Sequence, residues 1–336
     1  MKNSFDEKIL DEAKDWITAN QSVVLATVIQ TWGSSPRAVG SRMIVNDKWD
    51  FSGSVSGGCV ETAVVRECLG LLKKNKPCKK IEFKVSNESA WEIGLACGGE
   101  IAIFLEQINW MKKQLLNEII EKKGKKNEFA IVTNLDNGES YIFEKDKSIN
   151  KNIEKHKDKI SFYFDKKKNG IIEGTNIFVE TYIRPIKVFI VGAVHIAQYL
   201  VNFAKSLNFE ISIIDPRGYF ASEQRFPNIK IINKWPKEAL EENIPDQNTA
   251  LIALTHDPKI DDPALQYAIK NNFFYIGALG SKKTHENRCK RLKEAGFKDE
   301  EIKRIFGPIG IKLGGRSAPE IALSIIAQLV SETYKR

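Results

Sequence analysis

A cysteine that ends a glycine run is the first place in this chain to look for chemistry. Gly53-Ser54-Val55-Ser56-Gly57-Gly58-Cys59 sets three glycines and two serines ahead of a thiol. Beyond it, Val60, Ala63, Val64 and Leu71 recur at helical spacing, so Cys59 is expected at or just before a helix N-terminus. Unpaired N–H groups and the helix dipole there favour negative charge, lower a thiol pKa and supply a thiolate as nucleophile or soft metal ligand. The glycines let backbone N–H groups approach a bound anion. The competing reading is a glycine-rich turn leading into a half-buried helix cysteine.

A second glycine turn, Gly192-Ala193-Val194-His195-Ile196-Ala197, falls between an expected strand and an expected helix, where a dinucleotide fingerprint belongs. Asp215 lies 23 residues past Gly192, the spacing of a ribose-binding acid. Position 194 departs from the fingerprint, because valine stands where its second glycine lets the pyrophosphate approach the backbone. Arg217, His256, Gly277 and Gly280 fall at or after the ends of expected strands, the side on which open α/β sheets bind ligands. His256 is the acid–base candidate by that placement. No two cysteines have zinc-ligand spacing.

These motifs need elements to hold them. Helices are expected at 5–19, after Cys59 and at 110–123, with strands at 22–29, 42–46, 80–85, 100–105, 129–133, 140–143 and 176–182. Asp136-Asn137-Gly138 joins two of those strands as a hairpin. After Ile183-Arg184-Pro185 the pattern changes to short apolar strands alternating with helices, which implies a parallel sheet covered on both faces. Ser317 and Glu320 form a capping box for the last helix. The expectation is an α/β protein of two domains, an α+β domain over 1–183 and a Rossmann-like doubly wound domain over 184–336.

The 336 residues carry a net charge of +8, and the densest lysine run, 145–168, also holds acids and reads as a solvated surface segment. No nucleic-acid module stands out, and no apolar run approaches the length of a membrane span. Five scattered cysteines form no disulfide framework, and no signal-peptide core follows Met1. The expected compartment is the cytoplasm. Cys68 falls inside the helix expected after Cys59, and Cys78 and Cys289 lack a glycine context, so all three read as structural.

Together these pieces resemble the xanthine dehydrogenase accessory factors, the XdhC/CoxI family. In the first domain the resemblance rests on Thr31-Trp32-Gly33-Ser34-Ser35-Pro36-Arg37, on the Gly53–Glu61 stretch and on Cys97-Gly98-Gly99. In the second it rests on the Gly192 turn, Asp215-Pro216-Arg217, Thr255-His256, the 275–281 segment and Arg316–Ala322. The family typically reads Gly-Ala-Gly-His where this chain has Val194. The resemblance implies a chaperone, without turnover of its own, that binds molybdenum cofactor, supports its sulfuration and delivers it to an apo molybdenum hydroxylase. A cysteine desulfurase is a further partner on this reading, and a homodimer is compatible with it. Arg37 and the N–H groups of Gly57, Gly58, Gly98 and Gly99 would hold the cofactor phosphate, and Cys59 and Cys97 would coordinate the metal. Gly192, His195, Asp215, Arg217, His256, Gly277 and Gly280 would line a site for NAD(P) or another adenine nucleotide. Two other functions remain open at this point: an NAD(P)-dependent oxidoreductase and a nucleotide-sensing regulator.

Overall fold

A computed structural model describes residues 4–33, 37–58, 60–84, 99–108 and 110–335. The chain divides into two compact units, Met1–Arg184 and Pro185–Arg336.

The first unit opens with α1 (Ser4–Thr18), β1 (Val23–Gly33), β2 (Arg42–Asn46), β3 (Phe51–Gly53) and α2 (Glu61–Lys73). β4 (Cys78–Lys84) and β5 (Gly99–Gln107) complete an antiparallel sheet of order β3-β2-β1-β5-β4. Side chains alternate across a strand, so β1 serves two cores. Val24, Ala26 and Val28 meet Val60, Val64 and Cys68 on the α2 side. Val23 and Leu25 meet Ile9 and Leu10 of α1 on the other, together with Leu116 and Ile119 of α3 (Trp110–Gly124).

A second antiparallel sheet, of order β7-β6-β9-β8, is built from β6 (Phe129–Asn134), β7 (Ser140–Phe143), β8 (Gly170–Ile171) and β9 (Ile177–Tyr182), with α4 (Lys157–Asp165) ahead of β8. The expected hairpin is present, with Ala130 opposite Phe143. Arg42 of β2 ties the sheets together in the interior: it pairs with Glu180 and donates to Tyr182 Oη, both on β9.

Two expectations change here. The strand expected at 22–29 runs on to Gly33, because Thr31, Trp32 and Gly33 pair with Ile101, Glu100 and Gly99. The lysine-rich run is not only a solvated segment: α4 forms within it, and Ile153, Ile160 and Phe164 enter the core against β6 and β9. Lysines there solvate one side while sparse apolar residues anchor the other.

The second unit follows the order β10 (Lys187–Val191), α5 (His195–Ser206), β11 (Glu210–Ile214), β12 (Lys230–Ile232), α6 (Pro236–Glu242), β13 (Thr249–Ala253). It continues with α7 (Pro258–Lys270), β14 (Phe273–Ala278), α8 (Lys282–Glu294), α9 (Asp299–Ile302), β15 (Ile305–Phe306) and α10 (Ala318–Tyr334). The sheet runs β12-β11-β10-β13-β14-β15 with parallel pairings throughout. That order reverses between β10 and β13, which opens a crevice beyond their carboxyl ends. Val188 and Ile190 pack toward α5 and α10 on one face, and Phe189 and Val191 toward α6 and α7 on the other. The sheet is therefore doubly wound. The capping box of α10 is formed: the Ser317 N–H and hydroxyl both donate to Glu320. Among the described residues no helix is long and apolar enough to cross a membrane.

Candidate functional site

The Thr31–Arg37 motif touches the other two first-unit motifs, one through Gly33 and one through Arg37. Gly33 closes β1 and pairs with Gly99, which opens β5. β3 ends at Gly53, paired with Met43, which itself pairs with Ala26, seven residues before Gly33 along β1. Gly53 has φ +87°, and a Cβ there would lie 2.4 Å from the Arg42 carbonyl oxygen, so only glycine fits. From the loop after β1, Arg37 Nε reaches across to donate to the Ser54 carbonyl at 3.1 Å. Sequence reading placed Arg37 and the 53–58 loop in one site, and the geometry brings them together. Cys59, Cys97 and Gly98 lie outside the described residues.

The 54–58 loop is folded around a carboxylate from its own helix. Glu61, the first residue of α2, accepts from the N–H groups of Val55 (3.2 Å), Ser56 (2.9 Å), Gly57 (3.1 Å) and Gly58 (2.9 Å). It also accepts from the hydroxyls of Ser54 (2.7 Å) and Ser56. Burial alone would push its carboxyl up, but the hydrogen bonds from Ser56 and Ser54 outweigh it and hold the pKa at about 2. The N–H groups expected to face a cargo phosphate at Gly57 and Gly58 are thus directed at Glu61 instead. Sequence reading included Glu61 in a motif without giving it this role; a glutamate three to seven residues after small and hydroxylic residues was the available signal. Both neighbours of Cys59 are pinned as a result, Gly58 N–H to Glu61 and Val60 N–H to Ser56 Oγ at 2.9 Å. Gly57 and Gly58 themselves are exposed and have φ of +82° and +119°.

The turn in the second unit is also closed on a carboxylate. Asp215 is fully buried. Its Oδ2 accepts from Ala193 N–H and Arg217 Nη2, both at 2.8 Å, and its Oδ1 from Arg217 N–H and Nε, both at 2.9 Å. Burial opposes ionisation, yet the Arg217 and Ala193 hydrogen bonds hold the carboxyl below its ordinary range. Neither oxygen faces outward toward a ribose. Arg217 lies over the Phe220 ring, 4.5 Å from its centroid. Gly192 has φ +107°, and a Cβ there would meet Thr255 Cγ2 at 2.5 Å, so this glycine serves close packing across the β10–β13 crevice. Arg225 donates to the Ala193 carbonyl at 2.7 Å. As it stands, this turn does not fit a dinucleotide: its N–H and its acid satisfy each other, and Val194 occupies the N-cap of α5.

The remaining candidates separate. His195 is the exposed first residue of α5, within 3.2 Å of Gln198 Oε1. His256 is exposed, with φ +61°, and its N–H donates to Asp261 at 3.2 Å. Gly277 is enclosed in β14, where a Cβ would overlap Ile309. Gly280 (φ +142°) lies just before α8 against Thr284. Cys68 is buried, and burial pushes its thiol up to about 12; Cys78 and Cys289 shift upward for the same reason, as expected of inert thiols. Among the described residues no group of three or more His, Cys, Asp or Glu could hold a metal ion.

The comparisons with known proteins fit both units. Residues 16–83 match the XdhC and CoxI family, and residues 188–329 match the XdhC Rossmann domain, together more than half of the chain. The chain belongs to the XdhC and CoxI family. A molybdenum cofactor insertion chaperone of Escherichia coli, PaoD, is 28% identical over 96% of this chain and 87% of its own length. A Bacillus subtilis protein, named as a probable subunit of xanthine dehydrogenase, is 25% identical over 94% of each chain. A crystal structure from Bacillus halodurans, described as a xanthine dehydrogenase, superposes with a TM-score of 0.78 at 24% identity, covering 98% of this chain and 96% of that one. That likeness extends the family fold, an α+β unit followed by a Rossmann unit, over the whole chain.

Proposed function

We propose that this protein is an accessory factor that binds molybdenum cofactor as cargo, supports its sulfuration and delivers it to an apo molybdenum hydroxylase of the xanthine dehydrogenase type. The observation that carries the reading is the contact of Arg37 with the Gly53–Gly58 loop, with both neighbours of Cys59 held in place. A family relative named for molybdenum cofactor insertion supports the choice of cargo.

On this reading Arg37 supplies the cationic donor for the cargo's phosphate, while Cys59 and Cys97 supply soft sulfur for a metal already ligated by sulfur. The glycine loop contributes rigidity, since its own N–H groups are engaged by Glu61. A cysteine desulfurase is the sulfur donor this reading requires, and the apo-hydroxylase the recipient. An oxidoreductase reading has weaker support, because the Asp215 carboxylate is occupied by Arg217 and Ala193.

Anaerobic purification with molybdenum and pterin analysis tests the proposal. Wild type is expected to retain both, and Cys59→Ala and Cys97→Ala each to lose at least about tenfold in occupancy, the equivalent of one well-made binding contact. Full cofactor retention in both variants removes the thiolate role. Tight NAD(H) binding with turnover on a carbonyl or alcohol replaces the chaperone reading altogether.

A further inference from the structure

Beyond the carboxyl ends of β13 and β14 lies a cavity of about 200 Å3, none of whose lining residues belongs to the Gly192 turn. Its wall includes His256, Ser281, Lys283, Thr284, Asn287 and Arg288. Ser281 is the N-cap of α8 and takes the Thr284 N–H at 3.1 Å, which leaves the first N–H groups of that 13-residue helix at the cavity. Gly280, with φ +142°, makes the approach to the helix tight.

Arg288 is the second and independent observation. Its side chain is 2% exposed, yet its Nε has no hydrogen-bond partner. Nη2 donates to the Leu279 carbonyl at 2.8 Å and makes a long ion pair with Asp261 at 4.0 Å, and Nη1 lies 3.5 Å from His285 Nδ1. The Asp261 oxygens accept instead from Thr255 Oγ1 (2.6 Å), Thr255 N–H (3.2 Å) and His256 N–H (3.2 Å). Burial raises the Asp261 carboxyl above its ordinary range, against the Thr255 and His256 hydrogen bonds and the Arg288 charge, which favour its ionised form. Arg291, also on the wall, is paired with Asp262. Lys283 has no acidic partner among the described residues and is exposed. A buried guanidinium without a full set of acceptors is costly, and a bound anion would complete it.

We infer that this cavity binds a phosphoryl group, held by the α8 N-terminus, Lys283 and Arg288, and that it takes the place of the closed Gly192 turn as the anion site of the Rossmann unit. The inference does not depend on molybdenum cofactor being the cargo. The phosphoryl group can belong to a nucleotide or to a phosphorylated pterin, since helix N–H groups and a guanidinium recognise the same oxygens in both.

Isothermal titration of the full chain with pyrophosphate, ADP and NAD is the test. Wild type is expected to bind pyrophosphate. Lys283→Glu/Asn287→Asp, both changes at exposed positions, is expected to lose at least about tenfold in affinity. Val194→Asp, which puts a negative charge on the Gly192 turn, is expected to bind as wild type does. Circular dichroism confirms that the variants fold, and Lys283→Ala replaces the double variant if it does not. ADP binding tighter than pyrophosphate assigns the group to a nucleotide; equal affinities show that the site recognises the phosphoryl oxygens and not the nucleoside. Absence of pyrophosphate binding at millimolar concentration overturns the inference, and so does any loss of binding in Val194→Asp with retention in the α8 variant.

Discussion

In the first unit the turn at 54–58 closes on Glu61, and in the second the turn at 192–194 closes on Asp215. Both are glycine turns ahead of a helix, and both satisfy their own N–H groups with a carboxylate. They differ in the donors. Glu61 is surrounded by four backbone N–H groups and two hydroxyls, with no cation among the donors. Asp215 accepts from two backbone N–H groups and a bidentate arginine. The first carboxylate therefore organises a loop and has no cationic partner among the described residues, while the second is neutralised on the spot. A nest of dipoles with a charge at its centre is a rigid device for presenting its neighbours. A paired latch is a packing device that removes an anion site from the turn.

That contrast can be broken by measurement. Glu61→Ala strands the N–H groups of buried Val55 and Ser56 along with those of Gly57 and Gly58, and is expected to cost about 4 kcal/mol in denaturant unfolding. A cost near zero would mean that the loop does not depend on the carboxylate.

Acid provides the next largest effect. The Glu61 pKa lies near 2 in the folded chain against an ordinary 4.5. Its contribution is fully present above pH 4.5 and is lost as pH falls through 2, because the unfolded state takes up the proton first. The loss amounts to about 3 kcal/mol. The stability difference between wild type and Glu61→Gln should shrink across that window, and a difference that stays constant would contradict the account of the nest. Asp215, also depressed, acts in the same direction.

Asp215→Asn keeps an acceptor and loses the charge, and is expected to cost about 2 kcal/mol. A cost larger than that of Glu61→Ala would reverse the comparison. Arg37→Ala removes one half-buried donor to Ser54 and should cost about 1 kcal/mol in stability, with its main effect on cofactor retention. Equal cofactor loading in Arg37→Ala and wild type would remove the phosphate role given to this residue.

Much of the fold was legible in the chain because it is written locally. Strand runs such as 187–191 and 210–214, the hairpin turn at 136–138 and the capping box at Ser317 depend on near neighbours, and each is found where expected. The continuation of β1 through 31–33 was hidden, because it rests on pairing with residues about 70 positions away rather than on propensity. The buried anchors Ile153, Ile160 and Phe164 were masked by the lysines around them. At the site, the glycines at 53, 57, 58 and 192 were conspicuous, but their partners were not. A glycine announces an unusual backbone angle; it does not say which acceptor the freed N–H will meet.

The amino-acid order by itself determined the family, the α+β unit followed by a doubly wound unit, and the positions of the two glycine turns, since periodicity and motif spacing are properties of the chain. Only the three-dimensional arrangement decided that Glu61 fills one turn and Asp215 the other, and that Arg288 is buried beside the α8 N-terminus with an unsatisfied nitrogen. The reason is physical. Which donor meets which acceptor depends on distances of about 3 Å between groups whose separation along the chain carries no such information.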